Sequence, residues 1–494
     1  MATQTVAPEH AVPDRRGRLL VLAICSMSLL LVGLDATIVN IALPAIQSSL
    51  DATLSGLQWT VDAYTLVLAS LLMLAGSTAD RLGRRRVFQA GLATFLLGSL
   101  LCALAPSLEL LVACRVVQAI GGAMLTPVAM SIIRNVFEDP RERAQAIGVF
   151  SAMFGISMAL GPVLGGFLVS AISWRAIFLV NLPIAVAAIA LSARFVPESR
   201  APRPRRIDPV GQVLVIGALA TLTYSIIEGG RVGFGAAPIV ILLACALACF
   251  VALVLYELRR REPLLEMRFF TSAPFAGASA IAVCLSAALG GFLFMTTLYL
   301  QDVRGLSAQH AGLYMLPTAV MMTVVAPVSG RLVGRFGARP SMVAGGSAVF
   351  ASGLMLTGLA PRTSVAFLLS AYAVFGLGFA LVSPPIANTA VSGMPPAQAG
   401  VAAAVATTSR QVGITLGVAI FGAVAGSGAI GRGFAQATHA GWWIVAALGL
   451  AVAALGQLTT TGWARKTAQR TAARLDDAAP HGAAPQRVLP STAA

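Results

Sequence analysis

Fourteen apolar runs divide this chain, at 19–41, 57–78, 87–107, 109–132, 145–170, 175–196, 209–228, 237–258, 274–300, 309–330, 341–360, 364–387, 397–424 and 440–462. A helix needs about 20 apolar residues to cross a bilayer core of about 30 Å, so each run is long enough to span one. The runs are long and rich in Ala, Leu and Gly rather than short and alternating, which argues against the strands of a membrane barrel. Only 11% of the 494 residues are charged, against about 25% in soluble domains. The expected fold class is an all-α integral membrane protein with 14 transmembrane helices.

A net charge of +15 would point to nucleic acid in a soluble protein, so the placement of the charges decides their meaning. With the N-terminus in the cytoplasm, the inner segments hold 27 of the 34 Lys and Arg residues and the outer segments hold 5, while Arg115 and Arg410 lie within spans. This is the positive-inside pattern; it puts both termini in the cytoplasm and removes nucleic acid as a partner. The run after Arg15, Arg16 and Arg18 continues past Asp35 without a small-residue cleavage site, so it is a first span rather than a leader. Residues 1–18 read as a cytoplasmic N-terminal segment and 197–208, rich in Pro and Arg, as a cytoplasmic linker. Residues 463–494 read as a disordered cytoplasmic tail with no apolar face.

Catalysis has little to rest on. The six cysteines fall inside spans without paired or metal-ligand spacing and read as small packing residues. No histidine lies deep in a span, and no phosphate loop, nucleophile elbow or metal box occurs. The chain is expected to be no enzyme, with no metal and no cofactor.

One short charged segment occurs twice. GSTADRLGRRR at 76–86 and GRLVGRFGAR at 330–339 share a skeleton of Gly, Arg, apolar, Gly and basic residues, 254 residues apart. Such a repeat makes two related halves. Eight spans lie between the copies, an even number, so the second half enters the membrane in the same orientation as the first. Six spans per half leave two over: a six-helix bundle at 19–196, two inserted helices at 209–258 and a second six-helix bundle at 274–462. Parallel repeats about an axis along the membrane normal are the plan of the major facilitator superfamily.

The resemblance to that superfamily is specific. The 76–86 segment resembles its loop between spans two and three, with Asp80, Arg81, Gly83, Arg84 and Arg85 in the expected places and Thr78 where an apolar residue is usual. In the second copy Gly334 stands in place of the acid. LDATIVNIALP (34–44), WTVDAY (59–64), RVVQAIGG (115–122), GISMALGPVLGG (155–166), Trp174 with Arg175, NLP (181–183) and EGG (228–230) are similar to signatures of its fourteen-span drug/proton antiporters. The resemblance covers about residues 15–465 and implies two six-helix bundles with an extra central pair, and a multidrug or antibiotic efflux permease.

The charges inside spans carry their own argument. At 1.5 Å per residue, Asp35 lies roughly 24 Å from the cytoplasmic end of its helix, and Arg115 and Asp62 lie roughly 9 Å and 8 Å below the outer surface. Each costs up to about 2.5 to 3.5 kcal/mol at the bilayer centre, so they need partners or a wet cavity. Two carboxylates in one layer with one guanidinium leave one acid to hold a proton, the property of a carrier. Asp35, Arg115 and Asp62 are the expected proton-coupling residues. Arg115 also reads as a packing clamp, and Asp62, near Gln58 and Trp59, as an interfacial residue. Gln118, Arg410, Gln411 and Tyr64 are the expected substrate-cavity residues, with Arg410 and Gln411 reading equally as an internal tie. Gly161, Pro162, Gly165 and Gly166 allow close helix contact and a bend, as a packing face, a hinge or a seal against leak. Asp80, Arg81, Gly83 and Arg84 are expected either to lock the cytoplasmic side or to anchor topology.

The expected function is a proton-coupled antiporter that exports small amphipathic compounds, such as drugs, antibiotics or toxic metabolites, by alternating access. The alternative is a major facilitator importer or symporter of a small metabolite, against which the fifth-span motif counts. A sensor without transport gives no reason to bury Asp35 and Arg115. The expected partners are a small-molecule substrate, protons and the lipid bilayer, with the chain acting as a monomer. Its 33 Arg to one Lys, with abundant Ala and Gly, point to a high-GC bacterium and its cytoplasmic (inner) membrane.

Overall fold

The computed structural model describes residues 14–201, 207–260, 263–392, 394, 398–426 and 434–477. Helices follow one another with no strand among the described residues. The first six are α1 (Arg15–Leu50), α2 (Leu54–Leu82), α3 (Arg84–Leu104), α4 (Leu108–Val136), α5 (Pro140–Ala171) and α6 (Ala176–Phe195, in two pieces). Two more, α7 (Pro209–Val232) and α8 (Ala237–Arg259), precede a 3-10 turn, Met267–Thr271. The second set is α9 (Ala273–Val303, its last turn a π-helix), α10 (Ala308–Phe336), α11 (Ala338–Leu356), α12 (Val365–Val391), α13 (Ala399–Ala425) and α14 (His439–Thr459), and α15 (Gly462–Asp477) closes the described chain.

Local chemistry sets the helix starts. Asp14, Thr53, Ser107, Asp139 and Asp208 each accept a backbone N–H of the first turn, and proline opens α5 and α7, where its missing N–H costs nothing. Thirteen of the helices are long and apolar enough to cross a membrane. The expected run at 341–360 is α11, whose Arg339, serines and glycines lower its hydropathy. Small residues place it instead: Gly346 and Gly353 abut the α14 backbone at Ala453 and Ala446, close contact of the kind that holds helices together in lipid.

The packing repeats every eight helices. α1 packs on α4, α5 and α6 as α9 packs on α12, α13 and α14; α3 packs on α4 and α6 as α11 packs on α12 and α14; α2 packs on α4 as α10 packs on α12. Contacts between the halves obey the same symmetry, α2 with α13 and α10 with α5, with α1 meeting α9. The inserted pair stands outside this scheme. α7 packs against α2 and α13, and α8 packs on α7 while turning Val240, Ile241, Leu247 and Phe250 outward.

Burial is uneven along the membrane normal. Toward the end opposite the arginine-rich loops, one apolar core runs through both halves and joins Ile41, Leu57 and Ile177 to Leu285, Met315 and Phe421. Toward the arginine-rich end the first half has its own core around Phe88, Phe95 and Phe150, whereas in the second half the shared core continues to Met342 and Ile386 beside a cluster around Phe269, Phe275 and Ala402. The halves thus share one core at one end, and at the other Met73 of α2 packs against the second half's cluster.

The tail expectation needs correction. Residues 463–477 are helical within α15, because Ala464, Ala468, Thr471 and Leu475 recur at helical spacing and bury against the second half. Leu475 joins the cluster of Phe269 and Phe275; the Thr471 hydroxyl meets that of Thr271 at 2.9 Å, and the Thr467 hydroxyl accepts the Ala273 N–H at 3.0 Å. A face made mostly of alanine does not look apolar in sequence. Residues 478–494, like 1–13 and 202–206, lie outside the described residues.

Candidate functional site

Asp35 is fully buried in α1 at the centre of a polar cluster confined to the first half. Its Oδ2 meets Arg115 Nη1 at 2.5 Å, and its Oδ1 accepts Gln118 Nε2 at 2.8 Å and Asn181 Nδ2 at 3.4 Å. Gln118 and Asn181 both also donate to the Ser99 hydroxyl, at 2.8 and 3.4 Å. Arg115 is itself held three further ways. Its Nε donates to the Thr60 carbonyl at 3.1 Å, its Nη1 to Gln118 Oε1 at 2.7 Å, and its guanidinium lies 4.3 Å from the centre of the Tyr64 ring. Helices α1, α2, α3, α4 and α6 thus converge on one ion pair. A buried pair survives only when its remaining donors and acceptors are satisfied, and this one is.

The cluster corrects three expectations. Gln118 and Tyr64, expected in the substrate cavity, are fully buried around Arg115. Asp62, expected to share Arg115 with Asp35, does not: its Oδ1 accepts the Thr65 hydroxyl at 3.4 Å and its Oδ2 has no hydrogen-bond partner. Shared depth did not mean shared partners, because Asp62 lies on the α13 side of α2, where Thr415 donates to Thr65 at 2.9 Å. It is fully buried, which removes the interfacial reading. Arg410 and Gln411 remain partly exposed on α13.

The glycines of α5 divide between two partners. A side chain at Gly161 or Gly165 would strike Thr37, Ile38 and Ile41 of α1, within the same half. Gly166 abuts Ala308 and Gln309 at the start of α10, and Gly312 of α10 abuts the Pro162 carbonyl. Pro162 therefore leaves the helix continuous while its backbone touches the other half. Further bonds between the halves lie toward the same end: Gln58 Nε2 donates to the Val418 and Ala419 carbonyls at 3.2 and 2.9 Å, Gln301 Nε2 to the Ile41 carbonyl at 2.9 Å, and the Gln309 N–H to the Ser170 hydroxyl at 3.1 Å.

At the arginine-rich end, Asp80 pairs with Arg84 at 3.0 Å within its own loop. Gly83 sits at φ +112°, which lets the chain turn from α2 into α3. The expected linker is bound to this turn. Arg84 N–H donates to the Ser199 carbonyl at 2.9 Å, Ala201 N–H to the Asp80 carbonyl at 3.1 Å, and Arg85 N–H to Glu198 Oε1 at 3.1 Å. Glu198 thus places an anion at the positive end of α3. Arg81, expected to take part in the lock, is exposed.

Residues 25–418 match the family model of the Major Facilitator Superfamily. The chain belongs to the major facilitator superfamily. It is 36% identical over 409 residues to the multidrug resistance protein Stp of Mycobacterium tuberculosis, covering 83% of this chain and 76% of that one. To the methylenomycin A resistance protein of Streptomyces coelicolor it is 37% identical, covering 79% and 82%. To the multidrug efflux pump LfrA of Mycolicibacterium smegmatis it is 36% identical, covering 82% and 80%. In fold it matches a bacterial homologue of the human lysosomal transporter Spinster, solved in an inward-facing, unoccupied conformation, with a TM-score of 0.63, 18% identity and 94% and 99% of the two chains covered. This facilitator is a multi-pass membrane transporter and not an enzyme.

Sequence reading of this facilitator missed Ser99 and Glu198 as site residues. Ser99 gives no signal, since single hydroxyls are common in spans. Asn181 had one, as an amide beside Leu-Pro at the head of a span. Glu198 had another, as an acid among the prolines and arginines of the linker.

Proposed function

We propose that this transporter exports small amphipathic compounds from the bacterial cytoplasm in exchange for protons. The observation that carries the reading is the Asp35 cluster: a carboxylate wholly removed from solvent, yet paired by Arg115 and two neutral amide donors, Gln118 and Asn181, rather than by a bath of charge. An ion pair buried to hold a bundle together can be replaced by apolar residues at little loss, so its presence at span depth favours use of its charge. Protonating Asp35 cancels its attraction to Arg115 and leaves the guanidinium to Gln118, Thr60 and the Tyr64 ring. That loosens α1 from α4, the two helices that bring the pair together, and so links proton occupancy to helix packing. The naming of relatives as resistance proteins and efflux pumps supports export.

The arginine distribution favours placing both termini and both glycine-arginine loops in the cytoplasm of the inner membrane. In that orientation the shared core and the bonds from Gln58, Gln301 and Gln309 between the halves face outward, which supports a state of the alternating-access cycle closed on that side. The test uses inverted vesicles and an imposed pH gradient. Asp35→Asn, which keeps the shape but removes the charge and the exchangeable proton, is expected to abolish uphill efflux while retaining downhill exchange. Uphill efflux at the native rate in that variant would overturn the carrier assignment, and accumulation driven in the opposite direction would overturn export.

A further inference from the structure

The inserted pair and the last helix make a feature that transport leaves unused. At the arginine-rich end of α8 a groove of about 490 Å³ is lined by Ala252, Leu255, Tyr256, Arg259 and Arg260. Its chemistry changes along the helix axis. Ala252 and Leu255 form an apolar stretch, and Tyr256, Arg259 and Arg260 gather at the mouth, seven residues or roughly 10 Å further along from Ala252. Asp208 fixes the mouth, because its carboxylate accepts the Tyr256 hydroxyl at 3.1 Å and lies 3.2 Å from Arg260 Nε, and Arg259 beside them is exposed.

The 3-10 turn Met267–Thr271 touches both α8 and α15 and continues this surface. On α15, Trp463, Lys466, Arg470 and Arg474 are exposed and recur at spacings of three and four, so they form one stripe, while Ala464, Ala468 and Leu475 bury the other side. Trp463 is 66% exposed and Phe270 of the turn 42%. Aromatic rings beside basic residues on an amphipathic helix are what a membrane surface selects, and each Lys or Arg near an anionic leaflet adds to the attraction.

We propose that the end of α8, the 267–271 turn and α15 bind an anionic phospholipid of the adjoining leaflet, its phosphate at Arg259 and Arg260 and its acyl chain along Leu255 and Ala252. The apolar floor separates this ligand from a free phosphate, which would use only the mouth. The site ties the second half and the inserted pair to one leaflet. The inference rests on the orientation proposed above only for which leaflet that is, since binding in detergent does not depend on orientation.

The test is native mass spectrometry of the full-length protein in detergent, titrated with phosphatidylglycerol or with phosphatidylcholine of the same chains. At least tenfold preference for phosphatidylglycerol is expected. Arg259→Glu is expected to remove that preference, Leu255→Trp, which fills the groove, to weaken both lipids, and Lys466→Gln with Arg470→Gln and Arg474→Gln to reduce the preference severalfold. Unchanged secondary structure and gel-filtration profile establish that each variant is folded. Equal binding of the two lipids, or native preference in Arg259→Glu, would overturn the proposal; so would displacement of the lipid by millimolar inorganic phosphate, which would mean a phosphate site without need of a chain. A reporter fused after residue 494 tests orientation separately.

Discussion

At the scale of single residues, the energetics turn on how completely Asp35 and Arg115 satisfy each other. Removing one partner of a buried pair costs about 3 to 5 kcal/mol, because the other is left charged and unpaired. Arg115→Ala is therefore expected to lower thermal stability in detergent strongly, whereas Asp35→Asn resembles a protonated state that the cycle itself visits and should cost less. The double variant is expected to be more stable than Arg115→Ala alone, a coupling measurable by a double-mutant cycle; simple additivity would mean that the pair carries no interaction energy. Arg115→Lys should restore transport only in part, since an ammonium cannot donate at once to Asp35, Gln118 and the Thr60 carbonyl in the planar geometry of a guanidinium. Asp62, apart from this pair and with one oxygen unbonded, invites a different measurement. Reversal potentials in proteoliposomes are expected to fall by one proton per substrate in Asp62→Asn, a loss of about 2.3 kcal/mol of drive per 100 mV. An unchanged ratio would leave Asp35 as the sole carrier.

At the scale of elements, α5 does two jobs with one run of small residues. Gly161 and Gly165 let α5 lie on α1 inside the first half, and Gly166, with the Pro162 carbonyl, lets it meet α10 of the second. These contacts should separate under mutation. Gly161→Leu crowds a contact kept throughout the cycle, and overpacking of about 1 to 3 kcal/mol should appear as lost stability and expression. Gly166→Leu crowds a contact between the halves, so under the alternating access proposed above a similar cost should instead shift the population toward the opposite opening, by about tenfold for each 1.4 kcal/mol. Comparable melting temperatures for the two variants would contradict this division. The glycine-arginine turn and residues 198–201 form a second composite element, in which Glu198→Ala removes the acceptor for the Arg85 N–H and is expected to cost about 1 kcal/mol, as for a lost helix cap.

At the scale of the whole molecule, two six-helix sets related by an eight-helix shift share one core, and the first half has a further core of its own toward the arginine-rich end. Cysteines placed at Val149 of α5 and Val324 of α10, both exposed, test whether that side is open: reaction with a membrane-impermeant thiol reagent added from the arginine-rich side is expected, and no reaction would mean that both positions face lipid. The background needs Cys245 replaced, since it is exposed among the native cysteines. Asp80→Asn, which breaks the Asp80–Arg84 pair, should raise that labelling if the pair helps to close the arginine-rich side at another stage of the cycle. Unchanged labelling with normal transport would reduce the loop to an anchor of topology.

Sequence by itself determined the consequences of hydropathy and local chemistry. Runs of about twenty apolar residues must be satisfied within helices, and the repeated loop sets the parity that makes the halves parallel. Asp35 and Arg115 were legible too, because a charge in an apolar run is costly wherever the fold puts it. Tertiary structure alone decided the partners. Depth along a helix can be counted from sequence, but the direction in which a side chain points depends on neighbours hundreds of residues away, so Asp62 turned to α13 while Gln118 and Tyr64 closed around Arg115. The same holds for α15 and for residues 198–201: their alanines, serine and backbone groups carry almost no signal until a second surface, supplied by the 267–271 turn or by the α2–α3 turn, gives them something to bury against or bond.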